Sequence, residues 1–479
     1  MSDQASGSPI GRLARTEHDF LGEMELGNQH YYGVQTARAL DNFLITGIPM
    51  SAEPLFMKAF AMVKKAAALA NRDCGALEHQ VAQAIAAACD QLMAGALADQ
   101  FPTDMIQGGA GTSCNMNANE VIANLALESL GRPKGDYEFV HPNNHVNCSQ
   151  STNDAYPTAF RVALHSKISH YVEELELLAE AFAAKGLEFA QVLKMGRTQL
   201  QDAVPMSLGA EFHGWSTTIG EDVARLREAQ RLLLEVNMGA TAIGTGINAP
   251  PGYAERCVAY LAEISGIPVV LSEDLIEATS DTGAYVQLSG TLKRSAIKIS
   301  KICNDLRLLS SGPRAGFNEI NLPRMQPGSS IMPGKVNPVI PEVVNQTAYY
   351  VIGMDVTVSM AAEAGQLQLN VMEPVIAFAL FTSLQYMTRA CRALRSKCVV
   401  GITANTEVCR QAVMGSIGIV TALNPLLGYE VCAGIAKAAL TSGKSVHQLV
   451  VTEGQLITQE KWDEIFCFDN LINPKFIQI

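Results

Sequence analysis

The sequence predicts a mostly α-helical protein built around a bundle of long helices, and three stretches carry that reading. Leu164, Ile168, Tyr171, Leu175, Leu178 and Phe182 are spaced 4, 3, 4, 3 and 4 residues apart, the seam of a helix that buries one stripe against a neighbour. Leu292, Ala296, Ile299, Cys303 and Leu306 repeat that spacing. Val223, Leu226, Ala229, Leu233 and Val236 form a third, less regular stripe, and several such helices side by side make a bundle.

Taken in chain order, the other segments fit the same class. Residues 1–14 are rich in Ser and Gly and lack the apolar stretch of a secretion signal. Residues 55–98 read as Ala-rich helix with Met62, Leu69, Val81, Ile85 and Leu92 on periodic faces. The long seam helix is expected to follow Asp154, with Pro157 in its first turn. GATAIGTG at 239–246, followed by Pro250 and Pro251, and the Gly/Pro-dense segment 312–341 read as loops. Beyond 401 the periodicity shortens into a small helical region, with helices expected at 445–453 and at 458–466.

Charge narrows the partners. With 35 Lys and Arg against 47 Asp and Glu, the net charge is −12, which excludes a broad surface for nucleic acid or an anionic membrane. Apolar residues make up 48% of the 479 residues and charged ones 17%, a balance that points to surface buried between subunits and hence to an oligomer. The eleven cysteines are odd in number and form no CxxC pair, so neither a disulfide framework nor a zinc ribbon is expected. A cytoplasmic protein with a small-molecule partner fits best.

Four polar clusters are candidates for chemistry. GGAGTSCNMN at 108–117, QSTND at 150–154 and GRTQLQD at 196–202 each precede an expected helix, the third beginning near Pro205. Hydroxyls and amides at helix amino ends face unpaired N–H groups and the positive end of the dipole, a setting for an anion. Each cluster alone reads more readily as capping, but three together supply more donors than capping needs. The fourth, GSSIMPGKVNP at 328–338, sets two serines, a lysine and an asparagine between turn signals, as in a mobile lid. Gly108, Gly109 and Gly111 lack the GK[ST] ending of a phosphate loop, and no GxSxG or HExxH is present. His141, His145 and Cys148 have metal-like spacing, but Pro142 interrupts a shared helical face, so no metal site is expected.

GSSIMPGKVNP is similar to the signature loop of the aspartase/fumarase superfamily. GGAGTSCNMNANEV, HVNCSQSTNDAYPT, GRTQLQDAVP and GPRAGFNEINLP resemble further motifs of that superfamily in the expected order. The resemblance spans nearly the whole chain. It implies a three-domain subunit with boundaries 1–149, 150–405 and 406–479, and a homotetramer whose central helices join in one bundle. Each active site would be shared between subunits.

The activity it implies is reversible elimination of ammonia from L-aspartate to give fumarate, with no required cofactor. Activation by a divalent cation such as Mg2+ is left open, because no ligand set is recognisable. By resemblance, Ser329 is the base that takes the C3 proton. Thr112, Ser151, Thr152 and the backbone of Ser330 would hold the carboxylate beside that carbon, which must carry two negative charges as an aci-carboxylate. Lys335 and Asn337, with Thr198, would hold the other carboxylate, and Asn153 and Gln199 would lie near the amino group. The hydrating branch of the family has His at the position of Gln199, paired with a glutamate in the loop's continuation; Glu342 is retained here. Residues 141–144 read HPNN where Asp is usual last. Two alternatives stand beside ammonia elimination: a class II-type fumarate hydratase acting on malate, and a catalytically silent structural member.

Overall fold

A computed structural model describes residues 14–472. The 164–182 seam lies on one uninterrupted 37-residue helix, Thr152–Glu188, and all six seam residues are fully buried. Removing a large apolar side chain from water contributes ~1.5–3 kcal/mol, so six in one row decide which face of this helix turns inward. The 292–306 seam is equally buried on Gly283–Leu309. The third stripe is only partly helical. Leu208–Arg231 carries Val223, Leu226 and Ala229, whereas Leu233 follows the helix and Val236 lies in the short strand Glu235–Val236, both still buried.

Two expected boundaries move. The Ala-rich segment 55–98 forms two helices, Pro54–Asp73 and His79–Met93, separated at Gly75, whose φ of +73° an L side chain rarely adopts. Pro157 sits one turn deeper in its helix than expected, because the helix opens at Thr152. A proline there cannot donate to the carbonyl of Asn153, and Asn237 Nδ2 takes that carbonyl instead at 3.0 Å. Among the described residues strands occur as four two-stranded pairs, so the class is mostly α. The 445–453 segment contains a π-helical turn at Gln448–Thr452, and Gln459–Ile465 begins where Thr458 Oγ1 accepts from Lys461 N at 3.2 Å.

The chain clusters into two units, each made of discontinuous segments. The first comprises 1–172, 225–293 and 350–386, of which its first thirteen residues fall outside the described range. Its core is aromatic: Phe56 meets the Tyr156 ring edge-on at 5.3 Å and Phe381 at 5.2 Å, and Phe160 meets Phe381 edge-on at 5.2 Å. The second comprises 173–224, 294–349 and 387–479. Its core includes Leu193 and Met195 from a β-hairpin with Val413, Leu423, Ile435, Val450, Trp462 and Phe466.

Candidate active site

In the first unit two of the polar clusters open helices, as expected. Gly109, Ala110 and Gly111 all have positive φ, and this left-handed run delivers the chain into Thr112–Ser129. Only glycine fits at 111, because a Cβ there would lie 2.2 Å from the Tyr156 ring. Thr112 is exposed at the helix start, its hydroxyl donating to Gly109 O at 2.7 Å. The neighbouring helix starts at Thr152. Asp154 in its first turn accepts from Ser151 N at 2.9 Å with one oxygen, and from Thr241 N at 2.9 Å and Gly239 N at 3.2 Å with the other. The 239–246 loop therefore clamps the cluster from the far side of the sequence. Asn153 is tied down twice, through its carbonyl to Asn237 and through Nδ2 to Ala242 O at 2.7 Å, and among the described residues nothing bonds its Oδ1. Ser151 Oγ accepts from Asn153 N at 3.2 Å.

Beneath this platform lies a charge that sequence reasoning missed. Lys64, wholly buried, directs Nζ at Asn115 Oδ1 (2.6 Å), Gln150 Oε1 (2.9 Å) and Asn147 Oδ1 (3.0 Å). Three amide oxygens match the three protons of an ammonium. Burial nevertheless pulls the Lys64 amine down to about 7, opposed by the charge of Asp154, whose carboxyl burial pushes up to about 6. One signal was available: Phe56, Phe60 and Lys64 follow one another at i, i+4 and i+8, which places a lysine on the apolar face of an Ala-rich helix.

The third cluster departs from expectation. GRTQLQD does not open a helix; it forms the turn of an antiparallel hairpin, Leu193–Thr198 with Gln201–Ser207, and the helix starts at Leu208. Pro205 pairs with Met195 inside the second strand. Thr198 pairs with Gln201, so Gln199 and Leu200 alone make the turn, with φ of +55° and +62°. Both are exposed. Arg197 Nη1 reaches the buried Glu319 Oε1 at 2.6 Å, and Lys194 Nζ lies 3.1 Å from Glu319 Oε2, which binds the hairpin to the GPRAGFNEINLP motif. Asp202 accepts from Ser416 Oγ at 2.8 Å. Neither Glu319 nor Ser416 was assigned a role from the sequence.

The signature loop closes on itself. Gly328 N donates to Lys335 O at 2.7 Å and Asn337 Nδ2 to Gly328 O at 2.7 Å. A Cβ at Gly328 would stand 2.8 Å from Asn337 N and Lys335 O, so this neck requires glycine. Inside the loop, Ser329 Oγ accepts from Met332 N at 3.0 Å and Ile331 N at 3.2 Å. Two backbone donors on one hydroxyl oxygen favour negative charge there. Ser330 and Lys335 are exposed, and Gly334 has φ of +82° with nothing within 4 Å of a Cβ position. The residues expected at the site thus fall into three sets: Thr112, Ser151, Thr152 and Asn153 at two helix starts; Thr198 and Gln199 at a hairpin turn; Ser329, Ser330, Lys335 and Asn337 in one loop.

The histidine cluster is occupied with its own backbone. His141 Nδ1 accepts from Asn143 N at 3.0 Å and Asn144 N at 3.3 Å, and His145 Nδ1 accepts from His141 N at 2.8 Å. Among the described residues no group of three or more His, Cys, Asp or Glu is gathered as a metal site, and no helix is long and apolar enough to cross a membrane.

Comparison with known proteins identifies the family. The family described as "Lyase" matches residues 22–353, and that described as "Fumarase C C-terminus" matches 419–473. An aspartate ammonia-lyase from Helicobacter pylori strain J99 is 57% identical over 460 residues, covering 96% of this chain and 98% of the relative. The crystal structure of fumarate lyase:delta crystallin from Brucella melitensis bound to cobalt superposes with a TM-score of 0.93 at 53% identity, covering 96% of this chain and 99% of that one. A class II fumarase from Schistosoma mansoni gives 0.91 at 34% identity, over the same shares of the two chains. With the helical fold, the ordered motifs and full-length relatives in agreement, the chain belongs to the lyase family that holds the aspartate ammonia-lyases and the class II fumarases.

Proposed function

We propose that this chain is an aspartate ammonia-lyase, a carbon–nitrogen lyase that interconverts L-aspartate with fumarate and ammonia. The observation that carries the chemistry is the Ser329 hydroxyl oxygen, held by the amides of Ile331 and Met332. A free serine is far too weak an acid to act as a base near neutral pH. Two aimed N–H donors, the Lys335 cation on the same loop and exclusion of water on closure all favour the oxyanion. That oxygen takes the proton from C3. The electron pair flows first into the adjacent carboxylate, giving the aci form, and then into the new C2–C3 double bond as the C2–N bond breaks.

Thr112, Ser151, Thr152 and the backbone of Ser330 are assigned to the doubly charged group, where donors aimed in advance lower the barrier most. Thr112 must release Gly109 O to donate its proton. Lys335, Asn337 and Thr198 hold the remaining carboxylate. Asn153 Oδ1 and Gln199 receive the ammonium, which departs as neutral ammonia and needs no acid. Gln199 cannot supply a proton to a departing hydroxide, which sets malate chemistry behind aspartate chemistry. The relatives at 56–59% identity, all aspartate ammonia-lyases, support the same order.

The reading includes a three-domain subunit in a cytoplasmic homotetramer, each site drawing on several chains. It requires no cofactor, and no step runs through a metal. The test is a two-substrate assay by ultraviolet absorbance: purified protein forms fumarate from L-aspartate and not from L-malate. Fumarate from malate alone makes it a hydratase, and silence on both makes it a structural member. Running each arm with and without added Mg2+ decides whether a divalent cation activates.

A further inference from the structure

The role of Asn115 described here rests on the proposed assignment of Thr152 as a donor to a substrate carboxylate. A hydroxyl can donate or accept, and nothing in threonine itself chooses. The structure supplies a reason for the choice. Asn115 Nδ2 lies 3.2 Å from Thr152 Oγ1, so the amide gives its proton to the hydroxyl oxygen. No second partner of the Thr152 hydroxyl exists among the described residues, and its own proton is left to point away from Asn115.

The direction of the Asn115 amide is itself imposed. Amide oxygen and nitrogen are nearly the same shape, and which faces where is decided by neighbours. As an ammonium Lys64 has only protons to give, and the atom 2.6 Å from its Nζ is then Oδ1. That turns Nδ2 towards Thr152 Oγ1 and Asn147 Oδ1, the latter at 3.2 Å. Asn147 and Gln150 are oriented by the other two lysine protons in the same way. A cation at the start of a chain of hydrogen bonds also polarises each later bond in the same sense.

We propose that Asn115, locked by the buried Lys64, is a positioning residue that forces the Thr152 hydroxyl to be a donor and so prepares it for a carboxylate oxygen of the substrate. Alignment before binding means that no rotor has to be frozen or reversed when the charge develops. Asn115 and Lys64 are both buried, and each acts through the Thr152 hydroxyl. The first turn of Thr112–Ser129 supplies Thr112 as a proposed donor, whereas the Ala-rich helix that carries Lys64 supplies none of the proposed site residues.

The experiment is a double-mutant cycle on the intact enzyme. Asn115→Asp keeps the shape and still accepts from Lys64, but its second oxygen accepts the Thr152 proton and reverses the hydroxyl. A donor to a charged group is worth about 10- to 100-fold, and kcat/KM for L-aspartate is expected to fall by that much. In a Thr152→Val background the same change is expected to cost less than about 3-fold, because there is no hydroxyl left to turn. Asn115→Ala, which frees the hydroxyl without reversing it, should give a smaller loss that likewise vanishes beside Thr152→Val, and it serves where the aspartate variant does not fold.

An equal loss in both backgrounds would mean that Asn115 acts through charge or packing alone, and the proposal would be wrong. It would be equally wrong if Thr152→Val were impaired while both Asn115 variants were fully active. Full activity of Thr152→Val itself would instead overturn the assignment of Thr152 as a substrate donor, which separates the two failures.

Discussion

The platform around Thr152 and the loop around Ser329 both present hydroxyls held by hydrogen bonds, yet they are anchored in opposite ways. On the platform the partners come from remote stretches of chain: Lys64, Asn115, Asn147, Asn237 and the 239–241 backbone. In the loop they come from within, Gly328 to Lys335 and Asn337, and Ser329 to the next residues along. A group fixed by remote partners shares the stability of its whole unit. A group fixed by its own loop can move as a body while its internal geometry survives. Damage to the first should therefore appear in unfolding, and damage to the second in turnover.

The largest effect expected is at Ser329, the proposed base. Ser329→Ala should lower kcat by about 10^3-fold with an unchanged melting temperature; a clear drop in Tm would break the comparison by showing that the loop is structural. Next, Lys64→Met removes the cation that three amide oxygens and Asp154 face, and should cost ~3–5 kcal/mol in denaturant unfolding, as breaking buried pairs does. A cost below ~1 kcal/mol would mean that the platform is not held from beneath.

Two glycines offer a matched pair, since Gly111 and Gly334 have similar φ values of +91° and +82°. Gly111→Ala drives a methyl into the Tyr156 ring and should destabilise by ~2–4 kcal/mol, read by thermal unfolding. Gly334→Ala meets no neighbour, so only the strain of its φ, about 1 kcal/mol, remains; it should lower Tm much less than Gly111→Ala while slowing turnover a few-fold, and equal destabilisation by both would erase the distinction between the regions.

Stability and activity can also be separated by pH. Burial pushes the Glu373 carboxyl in the first unit from 4.5 up to about 8, with Arg161 opposing the shift. The folded chain then holds this proton more tightly than the unfolded chain. Its stabilising contribution is complete below about 4.5 and is lost as pH rises through about 8. Glu373→Gln, neutral throughout, should flatten that decline and be more stable than the parent near pH 9. An unfolding profile that keeps its slope in the variant would assign the decline to another group.

The seams at 164–182 and 292–306 were legible because burial on a helix writes a period into the sequence. The two helix-start clusters and the signature loop were legible for a related reason: capping residues, Gly328 and Gly334 act on their immediate neighbours. The hairpin was not. Pro205 suits the first turn of a helix as well as a strand, and Gln199-Leu200 carries neither Gly nor Asn to announce a left-handed turn. Its conformation is imposed by Arg197 and Lys194 on Glu319 and by the apolar residues beneath it. Lys64 was hidden differently. A lysine in an Ala-rich helix ordinarily points to water, and what makes it structural is Asn115, Asn147 and Gln150, between 51 and 86 residues away in the chain.

With Gln199 at the departing group as proposed, the left-handed turn at 199 and 200 also sets terms for redirecting the enzyme towards other leaving groups. Side chains differ in how readily they accept that backbone shape: Asn, Asp and His do so often, and β-branched ones seldom. A library at 199 weighted towards those three would sample new hydrogen-bonding chemistry on an undisturbed hairpin. Val, Ile or Thr there would reshape the bend before they touched any amine.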